Sequence, residues 1–373
     1  MISLTNFLNK AMVIFFAGLL LLAGCATGKE ETKENLTGVG ERFLIAVLPM
    51  ENLSGTAAPL REIRADLIEG LRARGMDVLQ EDTLEKFMAR HRIRYTGGID
   101  KITAKEFKDE LNCQGVLITS LELYNEIDPP KIALTSRVVS TGDNPVILWI
   151  NGIGLAGDDS PGILDLGLII DAKTLQKKAL NRLLDSLGRS LTSQKESKEL
   201  GLKRKFRPKI SFRSPVMEGK RKYTVAVVPF FNRSERKYGA EIMSLHFVRN
   251  LKELDDFEVI EPGVVRQQFL TLRIMMDQGV SLADAGAIFA VLDVDIIVTG
   301  QVLDYQDYQG SVGKPKVDFT AEVIERKSRE VVWSSISYNQ GDDGVFFFDW
   351  GRVNTAHAMA SQMVRSIGKM MAK

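Results

Sequence analysis

The feature that most constrains this chain is that its second half repeats its first. Ala46-Val47-Leu48-Pro49 returns as Ala226-Val227-Val228-Pro229, and Asn52 and Ser54 return as Asn232 and Ser234. Trp149 precedes Gly157-Asp158-Asp159 by eight residues, and Trp333 precedes Gly341-Asp342-Asp343 by the same eight. Near each end, Ser186-Leu187-Gly188-Arg189 matches Ser366-Ile367-Gly368-Lys369. Several matches in one order, at offsets of 180 to 184 residues, mean two copies of one fold. A period this long belongs to tandem globular domains and not to a solenoid.

Each copy parses the same way. Residues 43–48 and 223–228 are short apolar runs, the pattern of a buried strand, and a proline follows each. An Asn/Ser turn comes next, then a helix. Leu60, Ile63, Leu67 and Leu71 form one apolar stripe, with Gly75 as the stop, and Ile242, Leu245, Leu251 and Leu254 do the same in the second copy. Second strands are expected at 76–79 and 257–260, followed by two shorter helical stretches. Residues 115–123 and 295–303 read as third strands, and Lys131–Ser140 and Lys316–Glu325 lead to 146–153 and 331–338. Val317, Phe319, Ala321 and Val323 alternate with Asp318, Thr320 and Glu322, which predicts a strand with one face wet or paired. Each copy closes on an amphipathic helix, through Leu180, Leu184, Leu187 and Leu191 and then Met363, Ile367 and Met370. The expected fold class is α/β, two tandem copies of a mixed-sheet α/β sandwich over 42–194 and 223–373.

Ahead of the repeat, Lys10 is followed by the apolar run 11–22 and then by Leu22-Ala23-Gly24-Cys25. A short basic region, an apolar core and small residues before a cleavage point make a secretory signal, too short to span a bilayer as a helix. The ending resembles the lipobox of bacterial lipoproteins, in which Leu22, Ala23 and Gly24 precede a cysteine that becomes the acylated N-terminus. That resemblance implies a signal peptide over 1–24, a covalent lipid on Cys25 and a polar tether over 25–41. Ala26 in place of an aspartate resembles lipoproteins sent on to the outer membrane, where the body would face the periplasm.

The 349 residues after position 24 are enough for about two domains, and 45% hydrophobic with 26% charged residues can support their cores. The net charge of +1 disappears with Lys10, so no global field favours nucleic acid. With Cys25 acylated, Cys113 is left alone, which predicts a buried thiol and no disulfide. Residues 195–222 hold eleven Lys/Arg against Glu196, Glu199 and Glu218, a net of +8, with Pro208 and Pro215. This stretch reads as a basic linker, either simply solvated or in contact with anionic lipid or cell-envelope polymer.

Chemistry is harder to find. Gly152-Ile153-Gly154-Leu155-Ala156-Gly157 satisfies G-x-G-x-x-G, but Asp158-Asp159-Ser160-Pro161 stands where a phosphate-binding helix should open. Ile336 and Tyr338 replace the first two glycines in the second copy. His91, His246 and His357 have no second ligand at metal spacing, which predicts no metal site and places His246 and His357 at the surface or edge of their helices. The recurring Asp158-Asp159 and Asp342-Asp343 fit turn capping better than shared acid/base work. Asp293 takes the place of Cys113 in the other copy, and Cys113 reads as structural. No catalytic residue, cofactor or enzyme activity is expected.

Phe346-Phe347-Phe348-Asp349-Trp350 and its counterpart 163–168 lie between the last strand and the last helix of each copy. Two roles fit Phe346, Phe347, Phe348 and Trp350: a clasp packing the last helix onto the sheet, or an exposed interface for a partner or another copy. The Ala-Val-Leu-Pro strand, the Asn-x-Ser turn, and the runs Met76-Asp77-Val78-Leu79 and Val116-Leu117-Ile118-Thr119-Ser120 together resemble the CsgG-like group of envelope lipoproteins. So do Asp295-Ile296-Ile297-Val298-Thr299-Gly300 and the hairpin through Lys327-Ser328-Arg329-Glu330. The fold of that group is similar to those of PelC, LpoB and the N-terminal domain of TolB. The resemblance implies work by assembly at the outer membrane, as a scaffold or accessory factor of an envelope assembly or secretion machine. Its partners would be envelope proteins or further copies of the chain. Two alternatives stand beside it: an oligomeric secretion channel and an activator of peptidoglycan synthesis. The channel needs lipid-facing strands of about nine to eleven residues, and 124–131 and 305–316 are too short and polar to supply them.

Overall fold

The computed structural model describes residues 43–159, 167–191, 206–219, 221–275, 279–310, 312–343, 345 and 351–373. Leu22, Ala23, Gly24 and Cys25, the tether 25–41, and Phe346, Phe347, Phe348 and Trp350 lie outside the described residues. Among those described, no helix is long and apolar enough to cross a membrane.

Each copy of the repeat builds one mixed sheet, as the strand pattern predicts. In the first, β1 (Leu44–Val47) is parallel to β3 (Asp77–Val78) and β4 (Gly115–Asn125). The strands β5 (Lys131–Ser140) and β6 (Ile147–Ala156) then follow antiparallel, giving the order β3-β1-β4-β5-β6. The short β2 (Glu51–Asn52) pairs with the far half of β4. The second sheet repeats this with β8 (Tyr223–Val227), β9 (Phe231–Asn232), β10 (Phe257–Val259), β11 (Ile296–Gln306), β12 (Lys316–Glu325) and β13 (Val331–Gln340). One strand has no counterpart: β7 (Ile210–Arg213) adds to the edge beside β13.

That edge strand corrects the expected linker. Residues 210–213 pair antiparallel with 333–336, and Phe206 and Met217 on either side are buried in the second core. The second structural half therefore includes Phe206, Met217 and residues 210–213, all within the expected linker.

The apolar stripes do what their spacing predicts. One face of the first sheet (Ile45, Val47, Leu117, Leu134) packs on α1 (Leu60–Ala73) and α4 (Ala172–Leu191) through Ile63, Leu67, Leu71, Leu184 and Leu187. The other face, over β1 and β4, takes α2 (Glu81–Arg90) and α3 (Lys101–Leu111) through Phe87 and Phe107. Burying one such phenylalanine contributes about 2–3 kcal/mol. Asp100 starts α3 by accepting from the Thr103 N–H at 2.8 Å, and Asn112 ends it in the left-handed conformation. In the second half α5 (Gly239–Lys252) and α8 (Ala356–Met371) cover one face, and α6 (Pro262–Leu272) and α7 (Leu282–Val291) the other.

The halves share one core. Leu53, Ile147 and Ile150 of the first half belong to the apolar cluster built around α5 and α8 of the second. Those two helices therefore lie between the sheets, giving the layer order helix, sheet, helix, sheet, with α6 and α7 covering the β8–β11 part of the second sheet's outer face. A bridge between Val146 and Ile260 joins the two sheets directly.

Candidate functional site

The repeated motifs prove to be local structure. Asn52 Oδ1 accepts from the Ser54 N–H at 3.0 Å and from Ser54 Oγ at 2.6 Å; Asn232 does the same for Ser234 at 3.1 and 2.7 Å. Each is an Asx turn that redirects the chain toward the next helix. The second aspartate of each pair accepts the N–H of the last residue of its strand, Asp159 from Ala156 and Asp343 from Gln340. This closes the strand end, in keeping with the turn role expected for the pairs. Cys113 is fully buried in the core of α2 and α3, and burial pushes its thiol up to about 12, as a structural residue requires.

The histidines overturn expectation. His246 on α5 and His357 on α8 are not at the surface; they are 1% and 2% exposed and meet Glu122 of β4, itself 2% exposed. His357 Nδ1 lies 2.5 Å from Glu122 Oε2, and His246 Nε2 lies 3.9 Å from the same oxygen. The other Glu122 oxygen accepts from Thr135 Oγ1 at 2.6 Å, and Tyr305 Oη is 3.3 Å from His246 Nε2. His91 stays apart, 3.1 Å from Glu106 and 2.8 Å from Glu110.

Burial alone would push the Glu122 carboxyl up, but the charge and hydrogen bond of His357, with His246 and Thr135, outweigh it and hold the group at about 2. Burial pushes His246 down to about 3, and the charges of His357 and Arg249 add to that against the pull of Glu122. The cluster is therefore a carboxylate paired with His357 beside a neutral His246.

One carboxylate and two imidazoles within 4.8 Å of one another have the donor set of a metal site. Two observations favour a proton in that place. The 2.5 Å separation between Glu122 and His357 is a hydrogen bond, shorter than the spacing of two ligands around one cation. The Arg249 guanidinium also stands close by: a Cβ on Gly152 would lie 3.1 Å from both Arg249 Nη1 and His357 Cε1.

The G-x-G-x-x-G run finds its reason here. Gly152 and Gly154 lie inside β6, not in a phosphate-binding turn. A Cβ on Gly152 would meet Thr135 Oγ1 at 2.7 Å, and one on Gly154 would meet Thr355 Oγ1 at 2.8 Å and His357 Cβ at 3.0 Å. The glycines let α8 of the second half come down onto the first sheet.

The seam continues on both sides of this cluster. Arg137 of β5 and Glu261, both fully buried, form a two-pronged pair at 2.9 and 2.9 Å, and Arg137 also donates to the Gly97 carbonyl at 2.7 Å. Glu261 caps α6, accepting from the Gly263 N–H. On the other side, Lys131 Nζ donates to the Tyr308 carbonyl at 2.8 Å and sits 3.0 Å above its ring. Burial holds Lys131 at about 8 against the pull of Asp307 and Asp158. Asn354 bridges to Asp158 and Asp159, and Arg236 reaches the carbonyls of Glu122 and Leu53.

No family model matches the chain, and no curated protein matches it. Among solved structures it is similar to a PelC dodecamer from Paraburkholderia phytofirmans, at 17% identity and TM-score 0.29, over 44% of this chain and 95% of that one. It is also similar to the lipoprotein GNA1162 from Neisseria meningitidis, at 20% identity and TM-score 0.27, over 31% and 81%. A third is the C-terminal domain of LpoB from Salmonella enterica, at 13% identity and TM-score 0.26, over 33% and 89%.

Proposed function

We propose that this chain is a lipid-anchored envelope protein that works by holding other proteins together, as a scaffold or accessory factor of an envelope assembly or secretion machine. One observation carries the non-catalytic part: Glu122, His246 and His357, the side chains best suited to acid/base work, are locked in the seam between the halves. With exposures of 1–2% they are turned toward each other and away from solvent, where a substrate would have to arrive. Their work is to fix one half against the other.

The envelope part rests on the sequence ending Leu22-Ala23-Gly24-Cys25. Acylation there would place the double sandwich at the outer membrane, facing the periplasm. The test is metabolic labelling with palmitate followed by membrane fractionation. Label on the wild-type chain, with loss of both label and membrane partitioning in Cys25→Ser, supports the reading. Unlabelled protein and unchanged partitioning of the variant overturn it. Crosslinking in whole cells with mass spectrometry then identifies the proteins it holds. In liposomes the protein should give no conductance, and reproducible single-channel events would replace the scaffold with a pore.

A further inference from the structure

The face that the first sheet uses to receive the second half is left open, among the described residues, on the second sheet. In an antiparallel ladder, directly paired residues share a face. On the first sheet the rows Thr135–Gly152, Arg137–Ile150 and Ala133–Gly154 lie beneath α5 and α8. The corresponding rows of the second sheet are Thr320–Ile336, Glu322–Ser334 and Asp318–Tyr338. The edge strand β7 widens them, with Ile210 opposite Ile336 and Phe212 opposite Ser334. These side chains are turned to solvent: Ile336 is 44%, Tyr338 40%, Phe212 54% and Ile210 64% exposed.

The other end of the layered body offers the complementary surface. Ala179, Leu183 and Leu187 of α4 correspond, 180 residues on, to Met359, Met363 and Ile367 of α8. Lys177 therefore stands where His357 stands in the second half. In α4 that outward face carries Lys173, Lys177, Arg182 and Arg189 in solvent, with Asp185 as its one exposed acid. The open sheet face is acidic on balance, with Asp304, Asp318 and Glu322 against Lys316. Beneath α8 the contact inside the chain has the same polarity, a base on the helix (His357) meeting an acid on the sheet (Glu122), while toward α6 the sheet's Arg137 meets Glu261.

We propose that copies of this chain associate head to tail, the α1/α4 helix layer of one copy seating on the open β12–β13–β7 face of the next. The contact repeats between molecules the packing that joins the halves within one. Such a contact uses two different surfaces, so it adds further copies until a ring closes or a filament grows. Ile336 and Tyr338 stand where Gly152 and Gly154 admit α8, so the incoming helices sit farther out than α5 and α8 do. The association between copies is therefore weaker than the seam and depends on concentration and salt.

The test uses the full-length lipidated protein in detergent micelles. One chain carries Ile336→Cys and another Lys177→Cys, because His357 lies against Gly152, the counterpart of Ile336. Mixing the two should give a disulfide-linked dimer that neither variant gives alone, and mass photometry should show oligomers that dissolve at high salt. Lys173→Glu with Lys177→Glu should weaken association at least tenfold, and mixing that chain with one carrying Asp318→Lys and Glu322→Lys should restore it. A chain that stays monomeric up to about 100 μM overturns the proposal. So does crosslinking only between like positions, which is a two-fold contact. A large drop in melting temperature on Ile336→Arg, with association unchanged, also overturns it, since the face would then be covered by the chain itself.

Discussion

Glu122 concentrates the energetics of the seam in one side chain. Its counterpart in the second sheet is Leu303, which sits at the same irregularity of the ladder and is 38% exposed. Glu122→Leu would leave His357 Nδ1 and the Thr135 hydroxyl without their acceptor in a dry site. Urea unfolding should show a loss of about 3–5 kcal/mol, the cost of stranding one member of a buried pair. Adding His357→Leu should recover much of it, because an apolar pair of similar volume leaves no orphan charge. The same cluster sets the response to acid. The folded chain refuses a proton at His246 until about pH 3, whereas the unfolded chain takes it near 6.5. Between those values the unfolded state binds more protons, so stability falls as pH falls, by up to about 1.4 kcal/mol per pH unit. Glu122, held at about 2 against roughly 4.3 when unfolded, extends the loss to lower pH with the same sign. In His246→Phe the slope of stability between pH 6.5 and 4.5 should flatten, which denaturant midpoints measured across that range will register.

Elements were legible wherever the pattern was local. The period-two run in β12 and the apolar stripes of α1 and α4 identified themselves, and the duplication supplied each reading twice. The strand β7 was hidden because Ile210-Ser211-Phe212-Arg213 is four residues set among lysines and arginines, and its pairing to β13 is visible only in three dimensions. The seam was hidden for a related reason: Glu122, His246 and His357 come together across 235 residues of sequence. A signal did exist in the places where the copies disagree. Glycines at 152 and 154 against Ile336 and Tyr338, and Glu122 against Leu303, mark a sheet face buried in one copy and wet in the other. Strand β6 should therefore tolerate bulk poorly where β13 tolerates its loss. Gly152→Val should cost about 1–3 kcal/mol by overpacking against Thr135 and His357, while Ile336→Gly should cost no more than about 1 kcal/mol of strand propensity. Thermal melts of the two variants side by side check the asymmetry.

At the scale of the whole molecule, the seam decides whether this is two domains on a string or one cooperative body. Leu53, Ile147 and Ile150 pack into the core around α5 and α8, and the buried charge of Arg137 is paired with Glu261 of the other half. Neither half can open without baring that apolar surface and hydrating a buried ion pair. Calorimetry of the intact chain should accordingly show one transition, with calorimetric and van't Hoff enthalpies in agreement. Arg137→Leu is the discriminating variant. It strands Glu261 in the seam, at a cost of about 3–5 kcal/mol, and touches neither half's own helix-on-sheet core. If the seam couples the halves, this variant should split the transition in two and raise amide exchange first at the start of α6, where Glu261 caps the helix. A wild-type protein that already melts in two steps, or an Arg137→Leu variant that melts lower but still in one, would mean the halves are held together by something other than this seam.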